Sequence, residues 1–241
     1  MQLRHAALAA LCAVSLSAFA GEGQPHWSYT GKDDPAHWGE LSPAFVTCKL
    51  GKNQSPVDLS SANAKSGNSV EATFPPLAYT VENNGHTIQA TPTDAVKTLK
   101  LGGEAFTLKQ FHFHMQDNHS PMEVHFVHQN EQGDLAVISV MFQKGAKNPA
   151  LAQLLAKPLK AGEKTALADK LDIAALFPKN RNHFRLHGSL TTPPCSEGVN
   201  WIVFKTPVKA SEIQFEAIEA MIGQANNRPV QPLNARIVIE E

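Results

Sequence analysis

Apolar and polar residues alternate along much of this chain. Residues 79–91 (YTVENNGHTIQAT), 96–114 (VKTLKLGGEAFTLKQFHFH), 123–129 (EVHFVHQ), 135–143 (LAVISVMFQ) and 199–206 (VNWIVFKT) are rich in β-branched and aromatic residues and are set off by turn residues, which predicts strands. Gly102–Gly103, inside LGGEAF, predict a hairpin. Two stretches read as helices. Residues 148–156 offer Asn148 as cap and Pro149 at the first helical position. Residues 211–223 offer a capping box, Ser211 with Gln214, and end at Gly223. In this second helix Ile213, Ala217 and Met221, with Ile218 and Ile222, are expected to share the buried face, so it serves packing and not chemistry. There is no repeat, low-complexity tract or long linker. The pattern predicts one mainly β domain with short peripheral helices.

Composition narrows this further. With 241 residues, 42% of them hydrophobic, the chain can bury one substantial core. A formal charge of −1 gives no basic surface for nucleic acid and no acidic tail. Residues 1–20 read as an export signal: Arg4 opens it, AALAALCAVSLSA is its short apolar run, and AFA precedes Gly21 as a small-residue cleavage site. A buried N-terminal helix is the other reading. Cleavage would remove one basic residue, Arg4, and no acidic one, taking the charge from −1 to −2. Leu11 before Cys12 argues against lipid attachment there, and no other apolar run approaches membrane length. The expected product is residues 21–241, periplasmic or secreted, with no membrane partner. It keeps two cysteines, Cys48 and Cys195, and in an oxidising compartment such a pair invites a disulfide, the alternative being two buried thiols.

The candidate chemistry lies in FHFH and MEVHFVH. Side chains alternate faces along a strand, so Gln110, His112 and His114 share one face while Phe111 and Phe113 share the other. In the next strand Glu123, His125 and Val127 point one way, and Val124, Phe126 and His128 the other. The short QDNHSP connection favours antiparallel neighbours, which would bring three imidazoles together. Three nitrogen ligands suit tetrahedral zinc with a fourth position open, where bound water has a pKa near 7. Gln110 and Glu123, two residues before a histidine on the same face, are placed to orient imidazole N–H groups. The plainer alternative is a row of solvent-facing strand histidines. His119 is a loop residue or a fourth ligand, and His128 has the wrong parity and is structural or exposed.

Further motifs accompany these. FHFH and MEVHFVH, with HWSYTG (26–31), GKNQSPVDL (51–59), ENNGHTIQ (82–89), SLTTPPCSEGVNWIV (189–203) and NNRPVQPLNAR (226–236), in that order along the chain, resemble the α-class carbonic anhydrases, in their bacterial secreted branch. The resemblance runs from about His26 to the end of the sequence. It implies a large, mostly antiparallel twisted sheet with a conical cavity, and reversible hydration of carbon dioxide to bicarbonate and a proton. It implies zinc on His112, His114 and His125, with Gln110, Glu123 and the backbone carbonyl of Asn226 supporting them. Thr191 resembles the residue that orients the nucleophile and binds bicarbonate, with Thr192 in the same pocket. His86 resembles the proton shuttle, and Tyr29, Asn84 and Gln89 the residues that organise its waters. Val127, Val137, Leu190 and Trp201 match the apolar wall for carbon dioxide. Cys48 and Cys195 match the disulfide of secreted relatives. Sulfonamide and anion inhibitors are expected to bind.

One departure stands out. Relatives carry a longer connection between the two histidine strands, with a glutamate that accepts the threonine hydroxyl's hydrogen bond. Here no glutamate lies between His114 and Glu123, and Asp117 or Asn118 is the candidate replacement. Reduced turnover is the expectation. A non-catalytic zinc- or ligand-binding module on the same fold is the competing reading, and a zinc buffer the third. The buffer would account for the histidines but not for the threonine loop or the apolar wall.

Overall fold

The computed structural model describes residues 25–60, 62, 64–65, 70–116 and 121–241. The proposed signal, residues 1–20, and Asp117, Asn118 and His119 lie outside the described residues. Among the described residues, twelve strands form one sheet: β1 Ala64–Lys65, β2 Glu71–Ala72, β3 Tyr79–Asn83, β4 Ile88–Pro92, β5 Lys97–Leu101, β6 Glu104–His114, β7 Met122–Gln129, β8 Leu135–Lys144, β9 Lys164–Ala166, β10 His183–Ser189, β11 Glu197–Ala210 and β12 Ile239–Glu240. Their main order is β1-β12-β10-β11-β8-β7-β6-β4-β3-β9, with β5 alongside β6 and β2 on β5. The ladders are antiparallel except β1 with β12 and β11 with β8. The mainly β, mostly antiparallel single domain expected from the sequence is the fold observed.

Two predicted segments are hairpins. The 79–91 segment breaks at Asn84–Thr87, where the Asn84 side-chain oxygen accepts from the His86 and Thr87 N–H groups and Gly85 takes φ +85°. The 96–114 segment turns at Gly102 and Gly103, both with positive φ, as predicted. Among the described residues, four short helices lie around the sheet: α1 Trp38–Leu41, α2 Thr47–Leu50, α3 Pro149–Leu154 and α4 Glu212–Ile222. Both predicted helices carry their predicted caps, Asn148 for α3 and the Ser211/Gln214 box for α4, which ends at Gly223 with φ +76°.

The expected buried face of α4 is corrected. Ile213 is 74% exposed and Ala217 and Met221 are only partly covered, while Gln214, Phe215, Ile218 and Ile222 are buried. The rotation follows from Gln214, whose Oε1 accepts from Asn148 N at 2.8 Å and whose Nε2 donates to Asn148 O at 2.7 Å. That glutamine satisfies the backbone at the start of α3, and its burial turns Phe215 inward.

The sheet has two distinct faces. Phe111 and Phe113 of β6, Val124 and Phe126 of β7, and Ile138 and Val140 of β8 belong to the large core. The opposite face carries the histidines and a smaller apolar cluster of Val127, Val137, Leu186, Val199, Trp201 and Val238. Cys48 and Cys195 form a disulfide within a third cluster that includes Tyr29, Trp38 and Phe45. The disulfide joins residues 147 apart in sequence, so its constraint on the unfolded chain is worth roughly 4–5 kcal/mol. A Cys48→Ser, Cys195→Ser variant should lose stability of about that size in urea unfolding, and reductant should lower the wild-type protein toward it. A loss below about 1 kcal/mol would show that the cross-link constrains little.

Candidate metal centre and cavity

Antiparallel pairing of β6 with β7 sets His112 opposite His125 and His114 opposite Glu123. Cross-strand partners share a face, so the three imidazoles meet. Their ring centroids are 4.8 Å apart for His112–His114, 5.4 Å for His112–His125 and 4.4 Å for His114–His125. One ligand atom from each lies within 4.8 Å of the others. The sequence-based pairing of strands and the choice of histidines match this geometry.

Each ring has its second nitrogen held. His112 Nδ1 is 2.8 Å from Gln110 Oε1, and His114 Nδ1 is 2.8 Å from the carbonyl oxygen of Asn226. Both partners are acceptors, so both Nδ1 atoms carry the proton and both Nε2 atoms keep a lone pair. His125 is held from the other side: its Nε2 lies 2.9 Å from Glu123 Oε1, off the ring N–H direction, leaving Nδ1 as donor atom. His114 Nε2 is buried and has no hydrogen-bond partner. A buried lone pair aimed into a cluster of two further imidazoles is an orphan that a divalent cation would satisfy. Glu123 is committed to His125 and to the Ser139 hydroxyl, which donates to it, so the cluster offers three ring nitrogens as ligands. This donor set fits zinc with one position left over.

The electrostatics agree. Burial, reinforced by the charges of His114 and His125, holds His112 well below the ordinary histidine value. Burial and His125 lower His114 to about 4, against partial support from the Asn226 carbonyl and Glu123. Burial would raise the Glu123 carboxyl, but the close contact with His125 and the bond from Ser139 bring it down to about 2. At neutral pH His112 and His114 are therefore uncharged imidazoles and Glu123 a carboxylate.

Asn226 is fully buried and works through its side chain as well. Its Nδ2 donates to the carbonyls of His86 and Phe113, and its Oδ1 accepts from Met115 N. It thus ties the His86 turn to the end of β6. His86 stacks flat on Trp27, with centroids 3.9 Å apart at 8°, and its Nδ1 is buried without a partner. Burial and the charge of His26 hold His86 below the ordinary histidine value. Asn84 spends its side-chain oxygen on the turn that presents His86. Gln89 sits across from His112 in the β4–β6 ladder. Tyr29 is buried against Trp27 and Trp38, which raises its phenol pKa.

Thr191 and Thr192 lie in the loop between β10 and β11. That loop is anchored at Cys195 by the disulfide and at Ser189 by a reciprocal pair: Ser55 N donates to Ser189 Oγ and Ser189 N to Ser55 Oγ. A Cβ at Gly188 would collide with Ser55 Oγ, so glycine permits this approach. Trp201 Nε1 donates to Ser189 O at 3.0 Å, and its ring meets His125 edge-on at 4.9 Å. Val127, Val137 and Trp201 are buried in one cluster, with Leu190 packed against it beside the metal centre. Among the described residues, none accepts a hydrogen bond from Thr191 Oγ.

Several contributors were not singled out from the sequence. Ser139 falls at a cavity-facing position of an otherwise apolar strand, the one signal that marks it. Buried Arg228 donates to Gln54 Oε1, Ser55 O and Cys48 O, and Gln54 Nε2 donates to Cys195 O. Together these bind the cystine and the threonine loop to the 51–59 segment. Trp27 declares itself only through its stacking on His86.

Two expectations follow. In the unfolded chain His114 titrates near 6.5 and in the fold near 4, so the unfolded state binds more protons across that window. Metal-free protein should lose stability as pH falls from about 6.5 to 4, on the order of 3 kcal/mol for His114 alone. Protonation of Glu123 adds a further loss between about 4.5 and 2. Urea unfolding across pH, with zinc absent, measures this, and a flat profile would refute a buried neutral His114. Glu123→Gln should weaken zinc binding by about 10- to 100-fold in chelator competition, because His125 loses the carboxylate charge beside its ring and faces an amide that can turn its NH2 toward it.

Comparison with known proteins accords with this geometry. The family model described as "Eukaryotic-type carbonic anhydrase" matches residues 33–241. The carbonic anhydrase of Pectobacterium carotovorum is 43% identical over 239 residues, covering 96% of this chain and 97% of the relative. That of Neisseria gonorrhoeae is 42% identical over 244 residues, covering 98% and 96%. The solved α-carbonic anhydrase of Thermovibrio ammonificans, in complex with the inhibitor sulfanilamide, superposes with a TM-score of 0.85 at 44% identity over 90% of this chain and 100% of that one. With a histidine cluster of this form on a fold of this form, the chain belongs to the α-class, eukaryotic-type carbonic anhydrase family.

Proposed function

We propose that this chain hydrates carbon dioxide reversibly to bicarbonate and a proton, with zinc held by His112 Nε2, His114 Nε2 and His125 Nδ1. The observation that carries the reading is the way Gln110, the Asn226 carbonyl and Glu123 fix all three rings with a lone pair toward one point. Zinc bound there supplies a Lewis acid that brings the pKa of a water to about 7. Val127, Val137, Leu190 and Trp201 exclude water beside it and hold carbon dioxide. Thr191 Oγ takes a hydrogen bond from the nucleophile and aims its lone pair at carbon, and the Thr191 backbone N–H holds bicarbonate, with Thr192 beside it. His86, kept neutral by burial, accepts the proton through waters organised by Tyr29, Asn84 and Gln89, and passes it to buffer.

Sulfonamides are expected to bind at the same centre, and the Thermovibrio relative's complex with sulfanilamide supports this. Export to a periplasmic or extracellular space is proposed from the 1–20 pattern, and the disulfide suits an oxidising compartment. No helix among the described residues is long and apolar enough to cross a membrane. No glutamate lies between His114 and Glu123 in the sequence, which favours a turnover below that of relatives with the loop glutamate, by up to about a hundredfold.

Stopped-flow hydration kinetics of zinc-loaded variants test these roles. Thr191→Ala should lower kcat/KM by about a hundredfold. His86→Ala should lower kcat alone, and added imidazole should restore it. Equal loss of kcat and kcat/KM in His86→Ala, without rescue, would remove His86 from proton transfer.

A further inference from the structure

A polar row crosses the sheet on its cavity face. Lys164 on β9 stands opposite Glu82 on β3, Glu82 opposite Gln89 on β4, Gln89 opposite His112, His112 opposite His125, and His125 opposite Ser139. The adjacent residues along the strands, among them Val81, Ala90, Phe111, Phe126 and Ile138, point to the opposite face and belong to the large core. Six polar side chains in register across one face ask for a common use, and the metal centre accounts only for the inner ones.

The outer part is built around Gln89, which is 7% exposed. Its Nε2 donates to Glu82 Oε1 at 3.4 Å and to Thr91 Oγ1 at 3.3 Å. Lys164 Nζ lies 3.4 Å from the other carboxylate oxygen, Oε2, of a Glu82 side chain that is 16% exposed. An ionised carboxylate only accepts, and an amide nitrogen has two hydrogens to give. Glu82 and Thr91 take both, so the amide cannot turn over without setting its carbonyl against the carboxylate. Gln89 Oε1 has no protein partner among the described residues and is not sealed from solvent.

We propose that Glu82 is a positioning residue for proton transfer: clamped by Lys164, it locks the Gln89 amide so that only an acceptor faces the cavity waters. This rests on the reading that Gln89 helps to organise the waters leading to His86. A water chain carries a proton only when its donors and acceptors run in one sense. A Gln89 free to flip would present N–H groups to the same waters half the time and break that sense.

Glu82→Gln keeps the shape and removes the acceptor-only character. Oxygen-18 exchange on zinc-loaded protein separates carbon dioxide–bicarbonate interconversion from the proton-dependent release of labelled water. Glu82→Gln should lower the second about fivefold and leave the first within about twofold. Glu82→Asp, which still only accepts, should retain more of the rate than Glu82→Gln. A readout independent of turnover is the nitrogen-15 side-chain signal of Gln89 in metal-free protein, assigned by its loss in Gln89→Leu. It should show slowly exchanging N–H pairs in the wild type and faster exchange in Glu82→Gln. Unchanged label release and unchanged amide exchange in Glu82→Gln, beside a His86→Ala variant that shows its imidazole-rescued loss, would overturn the proposal alone. An equal fall in both exchange steps would also overturn it, because it would mean general damage. A His86→Ala variant with no rescued loss would overturn the proton path and this proposal with it.

Discussion

The register of β6 against β7 is the constraint on which the rest depends. With His112 opposite His125, the period-two alternation sends three imidazoles to one face and Phe111, Phe113, Val124 and Phe126 to the other. A slip of one residue would put the histidines into the large core and the phenylalanines into the cavity. The apolar face therefore enforces the metal centre: burying four such side chains is worth on the order of 6–12 kcal/mol, far more than the bonds around the histidines. Core packing and ligand placement are two faces of one pairing.

A second layer of contacts then turns three histidines into a centre. Gln110, Asn226 and Glu123 decide which nitrogen carries a proton, and Ser139 fixes Glu123. Asn226 extends the layer to the His86 turn, and the Arg228, Gln54 and cystine contacts extend it to the threonine loop. Segments far apart in sequence are joined through side-chain to backbone bonds, which leaves few of the loops around the cavity free to move independently. Among the described residues this layer gives Thr191 Oγ no acceptor.

Much of this was legible in the sequence, for physical reasons. Strand parity alone placed Gln110, His112, His114, Glu123 and His125 on one face, and the short connection implied antiparallel pairing. The caps of α3 and α4 were legible because capping is local chemistry. The buried face of α4 was not, because Gln214 is drawn inward by the backbone of Asn148, a contact between residues 66 apart. Arg228 and Gln54 were opaque for the same reason: their partners are acceptors on distant backbone. The strand His183–Ser189 has mixed apolar and basic residues without clear alternation, and only its neighbours β11 and β12 make it a strand. The threonine loop and the His86 turn acquired meaning from motif resemblance, since neither periodicity nor spacing distinguishes them from ordinary turns.

The most direct test of the account is zinc content and stopped-flow carbon dioxide hydration measured on one sample of residues 21–241. The account predicts one zinc per chain and sulfonamide-sensitive hydration. Full zinc with no hydration above buffer would contradict it, and would leave the chain a metal-binding module on a carbonic anhydrase fold.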